Sequence, residues 1–381
     1  MIYYTILIIN GLLFFSRLKS RLIPVISLIG LGFLAGSADI YKINDAVVYQ
    51  NAYNALAVGA PGTDKRFEWL YTATEKGAQL LGLNFTDFRF YFLMSIFVLI
   101  ATALVYVTPR PSLFVFLFAI FPFFSEITQI RSFAMLAVMM WALIFSAKSG
   151  KKWQIVSFLT MLLASGFHST GYLFLLVFVV RKFSIRKIVN YSVRSVVVLV
   201  LVGVAIRLFA TNLFKVLLGA LLNLIGRENM GSDSTVNAYS AGLGSSFFPV
   251  LIMILIYVLV LFVTAKLYFS KSIEGPDGSL LSVLLISEIV MIVGIPLIFM
   301  SVNYQRILRF GIEMGYLFFA IYSGKYVTII SNGKVKLLPI YVSLLMVISV
   351  LIALLVFDGG VISGPFSDTI PYFINSVSIS Q

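Results

Sequence analysis

Apolar runs closed by charged residues, or by glycine and proline, recur along the whole chain. They fall at 2–15, 22–38, 90–107, 112–124, 127–147, 153–166, 169–180, 193–210, 247–268, 279–300, 304–323 and 337–357. A helix needs about 20 apolar residues to cross a bilayer. The pattern therefore predicts an all-α polytopic membrane protein of about 12 transmembrane helices, some of them short or broken. None of the runs alternates polarity residue by residue, which argues against an outer-membrane barrel. The short runs 153–166 and 169–180 read either as two tilted helices or as one long helix broken near Gly166. Arg17, Lys19 and Arg21 follow the first run, and no basic residue precedes it, so 2–15 reads as a retained span rather than a cleaved signal.

Between the runs lie two long polar segments. Residues 39–89 carry two helical patterns. Asp45, Tyr49 and Tyr53 recur every four residues on one face, and Phe67, Leu70, Tyr71, Ala78 and Leu81 form a second stripe that ends at Gly82. This segment is expected to fold against the membrane. Residues 226–246 are rich in glycine and serine and read as a mobile loop. There is no internal repeat, and residues 1–381 read as a single integral membrane domain.

Composition supports this reading. Of 381 residues, 60% are hydrophobic and only 11% charged, against about 25% charged in a soluble domain. A soluble enzyme is excluded. The net charge of +13 raises the question of nucleic acid, and its distribution answers it. If the Arg17–Arg21 connection is cytoplasmic and the spans alternate, 17 of the 28 basic residues fall in cytoplasmic connections, against only Glu274 and Asp277. That is the positive-inside signature of a multi-pass protein. Both termini and residues 39–89 are then expected outside. With no cysteine and one histidine, there is no thiolate or transition-metal site to expect, and no cofactor.

Polar residues near the outer span ends carry the candidate chemistry. Arg131 lies just inside the run that begins at Ile127. A lone cation there needs water, a partner or an anionic ligand; snorkelling, or a pair with Glu126, is the alternative. His168, the one histidine, lies between two short runs in ASGFHST. Arg306 and Arg309 are a turn apart on one face, with Glu313 four residues beyond Arg309. They read either as a structural ion-pair ladder or as a phosphate clamp, since the planar guanidinium grips phosphate at two points. Glu288 lies mid-span. Asp45 and Glu68 are carboxylates of the 39–89 segment, and its aromatic residues, including Tyr49, Tyr53 and Trp69, suit either sugar stacking or an interfacial belt. No phosphate-gripping glycine loop, HExxH or GxSxG is present.

Five segments in order, NDAVVYQNAY, RFEWLY, QIRSFAM, ASGFHST and YQRILRF, resemble the EpsG-like group of Wzy-type polysaccharide polymerases. The family's usual Arg-Gln pair is replaced here by Arg131–Ser132, with Gln129 preceding. Asn44 stands in place of the glycine usual before the loop aspartate. The resemblance implies a bacterial cytoplasmic-membrane glycosyltransferase with its active site on the outer face and a bundle like those of lipid-sugar transferases. Its substrates would be undecaprenyl-pyrophosphate-linked glycans, and its products capsule, exopolysaccharide or O-antigen. It would move the growing chain onto a sugar hydroxyl of the next lipid-linked unit. On that reading Arg131, Arg306 and Arg309 bind pyrophosphate, His168, Glu68 and Asp45 are the catalytic candidates, and Tyr49, Tyr53 and Trp69 contact sugar. A flippase and a chain-length regulator are implied partners, and nucleic acid is not. The competing readings are a glycan ligase using the same donor, a lipid-linked oligosaccharide flippase, and a membrane O-acyltransferase.

Overall fold

The computed structural model describes residues 2–16, 18–43, 45–62, 66–209, 247–269, 276–326, 330–331, 334–335 and 337–353. The loop expected at 226–246 lies outside these residues. In chain order the helices are α1 (Ile2–Ser16), α2 (Leu22–Gly36), α3 (Ala46–Ala57), α4 (Trp69–Leu80), α5 (Phe85–Val107), α6 (Ser112–Ile120), α7 (Phe123–Thr128), α8 (Ile130–Ser146) and α9 (Lys151–Ser165). There follow α10 (Leu176–Val180), α11 (Ile185–Phe209), α12 (Phe247–Phe269), α13 (Pro276–Val290), α14 (Gly294–Ile298), α15 (Gln305–Tyr326) and α16 (Leu337–Ala353). The one strand pairing among the described residues is a two-residue antiparallel contact, Ile330 with Val335 and Ser331 with Lys334.

Four of the described helical stretches are long and apolar enough to cross a membrane: Phe85–Val107, Ile185–Phe209, Phe248–Phe269 and Gly278–Ile298. The chain is a helical membrane protein, and the expected count of about 12 spans is not reproduced. Helices of 15 to 17 residues, such as α1, α2, α8 and α9, reach only about 22–26 Å, short of the roughly 30 Å hydrocarbon core. α15 is 22 residues long, but its sequence includes two arginines and a glutamate. The break anticipated near Gly166 is present. α9 ends at Ser165, and the chain resumes as a 3₁₀ turn, Ser169–Leu175, that leads into α10.

Small residues set the closest helix contacts, as expected where lipid removes the hydrophobic drive between helices. α2 carries Gly32 and Gly36 on one face. A Cβ at Gly36 would stand 2.7 Å from the Phe90 ring and 3.2 Å from its Cα, so α5 packs directly on the α2 backbone. α15 repeats the spacing with Gly311 and Gly315, against Tyr257 and Val260 of α12. Arg89 of α5 is buried and donates from Nη1 to the carbonyls of Gly36 and Ala38, closing the C-terminal end of α2. Beneath α7 and α8, Phe97, Phe118, Phe123 and Phe133 form a buried ring cluster, with Phe118 and Phe133 stacked at 5.7 Å. This packed floor fixes the turn from which the polar residues of α7 and α8 project.

Candidate functional site

Three interruptions of helix meet at one end of the bundle. The first is Gln129, which ends α7 and opens α8 with φ −108° and ψ 57°. The second is the break after α9. The third is the start of α15, preceded by a 3₁₀ turn at Val302–Tyr304. A helix start leaves N–H groups unpaired, and at α4 those of Leu70 and Tyr71 both donate to the carbonyl of Gly166, at 2.9 and 3.2 Å. Only glycine fits there, because a Cβ at 166 would lie 2.8 Å from Leu70 Cβ and from the Trp69 ring. The 39–89 segment is thus docked onto the break between α9 and α10.

Glu68, 7% exposed, sits just ahead of α4. One carboxylate oxygen pairs with Arg131, and the other accepts the backbone N–H of Ser169 at 2.9 Å. Arg131 Nε donates to the Tyr49 hydroxyl at 3.4 Å, and the guanidinium lies over the Phe67 ring at 4.2 Å. The partner of Arg131 is therefore Glu68, and the alternative pair with Glu126 is not formed. Glu126 instead pairs with Arg309, 2.9 Å away, and both side chains are fully buried. Arg309 Nη2 also donates to Gln129 Oε1 at 2.8 Å. Pairing of Arg309 with Glu313, the ladder reading, does not occur: Glu126 and Gln129 reach it across the bundle. Arg309 Nε and Nη1 are buried with no hydrogen-bond acceptor.

His168, 8% exposed, connects the two halves. Its Nε2 lies 3.0 Å from Arg306 Nη1, and its Nδ1 lies 2.8 Å from Thr170 Oγ1. A guanidinium can only donate, so Nε2 is the acceptor and the ring proton sits on Nδ1, donated to Thr170 Oγ1. The 3.3 Å approach of the Thr170 N–H to Nδ1 is the weaker contact and is given up in this tautomer, which follows from the partners. Arg306 also donates from Nε to the Asn303 carbonyl at 2.9 Å. Among the described residues no carboxylate forms an ion pair with it.

The other expected site residues are placed differently. Asp45 is exposed, with a left-handed φ of 66° and no capping bond from its side chain. Tyr49 and Tyr53 are buried. The Tyr53 hydroxyl donates to the Leu83 carbonyl at 2.7 Å, and its ring stacks on Phe88, so it packs the loop against α5. Trp69 presents an open face, 58% exposed, beside Gly166. Glu288 lies within the bundle, where Thr264 donates to its Oε2 at 2.7 Å. Glu75 was missed in the sequence. It is 2% exposed, and burial pushes its carboxyl up to about 7, against the opposing pull of Tyr71, Arg131 and Arg66. The available signal was spacing: Glu75 is four residues after Tyr71 and seven after Glu68, on the same helical face.

Among the described residues, two of the three converging guanidiniums are ion-paired with carboxylates, and the third, Arg306, is bonded to His168 instead. Fold and site define a helical membrane protein with a buried, arginine-rich polar centre at one end of its bundle. The chain belongs to the EpsG family, whose model matches residues 23–373. Comparison with curated proteins and with solved structures finds no match. Membership bears out the resemblance of the five segments and points to a polysaccharide polymerase-type role.

Proposed function

We propose that the protein polymerises undecaprenyl-pyrophosphate-linked oligosaccharide units at the outer face of the bacterial cytoplasmic membrane. The observation that carries this reading is the hydrogen bond to the one histidine from Arg306, which no carboxylate among the described residues pairs. An acceptor sugar hydroxyl attacks the anomeric carbon of the donor chain. The new glycosidic bond forms as the bond to the pyrophosphate oxygen breaks, and undecaprenyl pyrophosphate leaves with the electron pair. Arg306 swings from His168 onto the departing pyrophosphate, where its charge offsets the negative charge that develops on the leaving oxygen. The swing frees the Nε2 lone pair to take the hydroxyl proton, and the Nδ1 hydrogen bond to Thr170 steadies the resulting imidazolium. Arg131 and Arg309 are each balanced by a carboxylate, and Arg309 keeps Nε and Nη1 without an acceptor, available to donate to substrate oxygens. Glu68, with both oxygens engaged, positions Arg131 and the histidine loop. Trp69 stacks on sugar, and Asp45 is the second candidate base.

The test is polymer formation from a purified lipid-linked repeat unit. His168→Ala loses roughly 10²–10⁴-fold in rate, the range for a general base. His168→Gln does little better, because an amide orients a hydroxyl but cannot take its proton. Near wild-type polymer from the Gln variant transfers the role to Asp45. A glycan ligase would use the same donor cluster, and would turn over only when its different acceptor replaces the second lipid-linked unit.

A further inference from the structure

A second polar feature lies at the far end of α8. Arg131 is at the start of this helix and Ser146 is its last residue, a separation of about 22 Å at 1.5 Å per residue. There a cleft of about 1350 Å³ opens between the α8–α9 turn, the end of α5 and the start of α13. Lys148, Lys151 and Arg181 line it, and among the described residues no carboxylate does. Lys148 Nζ sits 4.0 Å over the Trp153 ring, and Arg181 donates to the carbonyl and hydroxyl of Ser146 at 3.3 and 3.0 Å. These contacts hold the cations without neutralising them. Gln154, in the same wall, donates from Nε2 to the Lys148 carbonyl at 3.0 Å, while its Oε1 is buried with no hydrogen-bond donor. Three cations that no carboxylate among the described residues pairs call for an anion, and an orphaned acceptor calls for a hydroxyl. One side of the mouth is apolar, with Tyr106 and Ile155 both more than half exposed.

We propose that this cleft binds a phosphate ester that carries a free hydroxyl, such as the headgroup of phosphatidylglycerol in the adjoining leaflet. The cations hold the phosphate, Gln154 Oε1 accepts from the headgroup hydroxyl, and an acyl chain leaves past Tyr106 and Ile155. Basic pockets between membrane helices take anionic headgroups for this reason.

The experiment measures thermal stability of the full chain in phosphatidylcholine nanodiscs with and without phosphatidylglycerol, and in pure phosphatidylcholine discs with glycerol 3-phosphate added. A rise in midpoint with phosphatidylglycerol alone identifies a lipid-borne ligand, whereas a rise with glycerol 3-phosphate identifies a soluble one. Either supports the site. Lys148→Gln and Arg181→Gln each weaken binding roughly fivefold, on the scale of one surface cation. Lys148→Arg, which keeps charge and ring contact, retains binding and separates this effect from misfolding. Lys76→Gln, on α4 at the opposite end of the bundle, is the control. No rise with either probe, or an equal loss in the Lys76 variant, overturns the proposal.

Discussion

Of the three clustered arginines, two are held by carboxylates and one by a histidine, and their substitutions should differ accordingly. Arg306→Ala removes the cation bonded to His168 and should cost roughly 10²–10³-fold in polymer formation, as for a lost charge-stabilising donor. Arg306→Lys should recover part, since it keeps charge but not the two-point grip. Arg309→Ala and Arg131→Ala strand a buried carboxylate, Glu126 or Glu68, so they should lower folded protein as well as activity. Measuring yield beside turnover separates these effects, and full activity of Arg306→Ala would remove it from the chemistry. Glu75 gives a second prediction, about pH. Its carboxyl holds a proton more tightly in the folded chain than its ordinary value near 4.5 allows. The folded state is favoured at low pH and loses ground as pH rises through about 7, by at most about 3 kcal/mol. Thermal midpoints should therefore fall from about pH 5 to about pH 8, and Glu75→Gln should flatten that slope. A slope unchanged in Glu75→Gln would assign it elsewhere.

The helices themselves were largely legible, because apolar runs bounded by charge or glycine mark them directly. The internal breaks were less so. Gly166 announced itself between two runs, but Gln129 did not: Thr128, Gln129 and Arg131 are isolated polar residues in the run 127–147, with no glycine or proline there to mark the end of α7. The paired glycines of α2 and α15 were present in the sequence as spacings of four and went unread. Their consequence is testable. Gly36→Leu would drive a side chain into Phe90 and should cost roughly 1–3 kcal/mol, the usual scale of overpacking. Denaturation of the purified variant measures it, and an unchanged midpoint would show that α2 can draw back from α5.

For the whole molecule, the distribution of basic residues predicts a side for each end of the bundle. Reporter fusions should place the turn after Lys152 in the cytoplasm and residues 39–89 outside. A fusion after Lys152 that reads as external would put the arginine cluster on the wrong face for a lipid-linked donor made available outside. Residue chemistry showed in the sequence which side chains to gather, since Arg131, His168, Arg306 and Arg309 were all singled out there. Who pairs with whom was not legible. Partners such as Glu68 and Arg131, 63 positions apart, or Gln129 and Arg309, 180 apart, are joined only by the folding of separate helices, and local spacing instead favoured Glu126 and Glu313.

The carbonyl of Gly166 has an implication for anyone recombining members of this family. It caps α4, while Glu68, one residue before that helix, holds the backbone N–H of Ser169 beside the histidine. The 39–89 segment and the histidine turn therefore behave as two halves of a single clasp, although nearly a hundred residues separate them along the chain. A chimaera that imports residues 39–89 from a relative, to borrow its choice of sugars, should work only when residues 166–170 travel with the graft. The same graft without them leaves each half of the clasp facing a stranger.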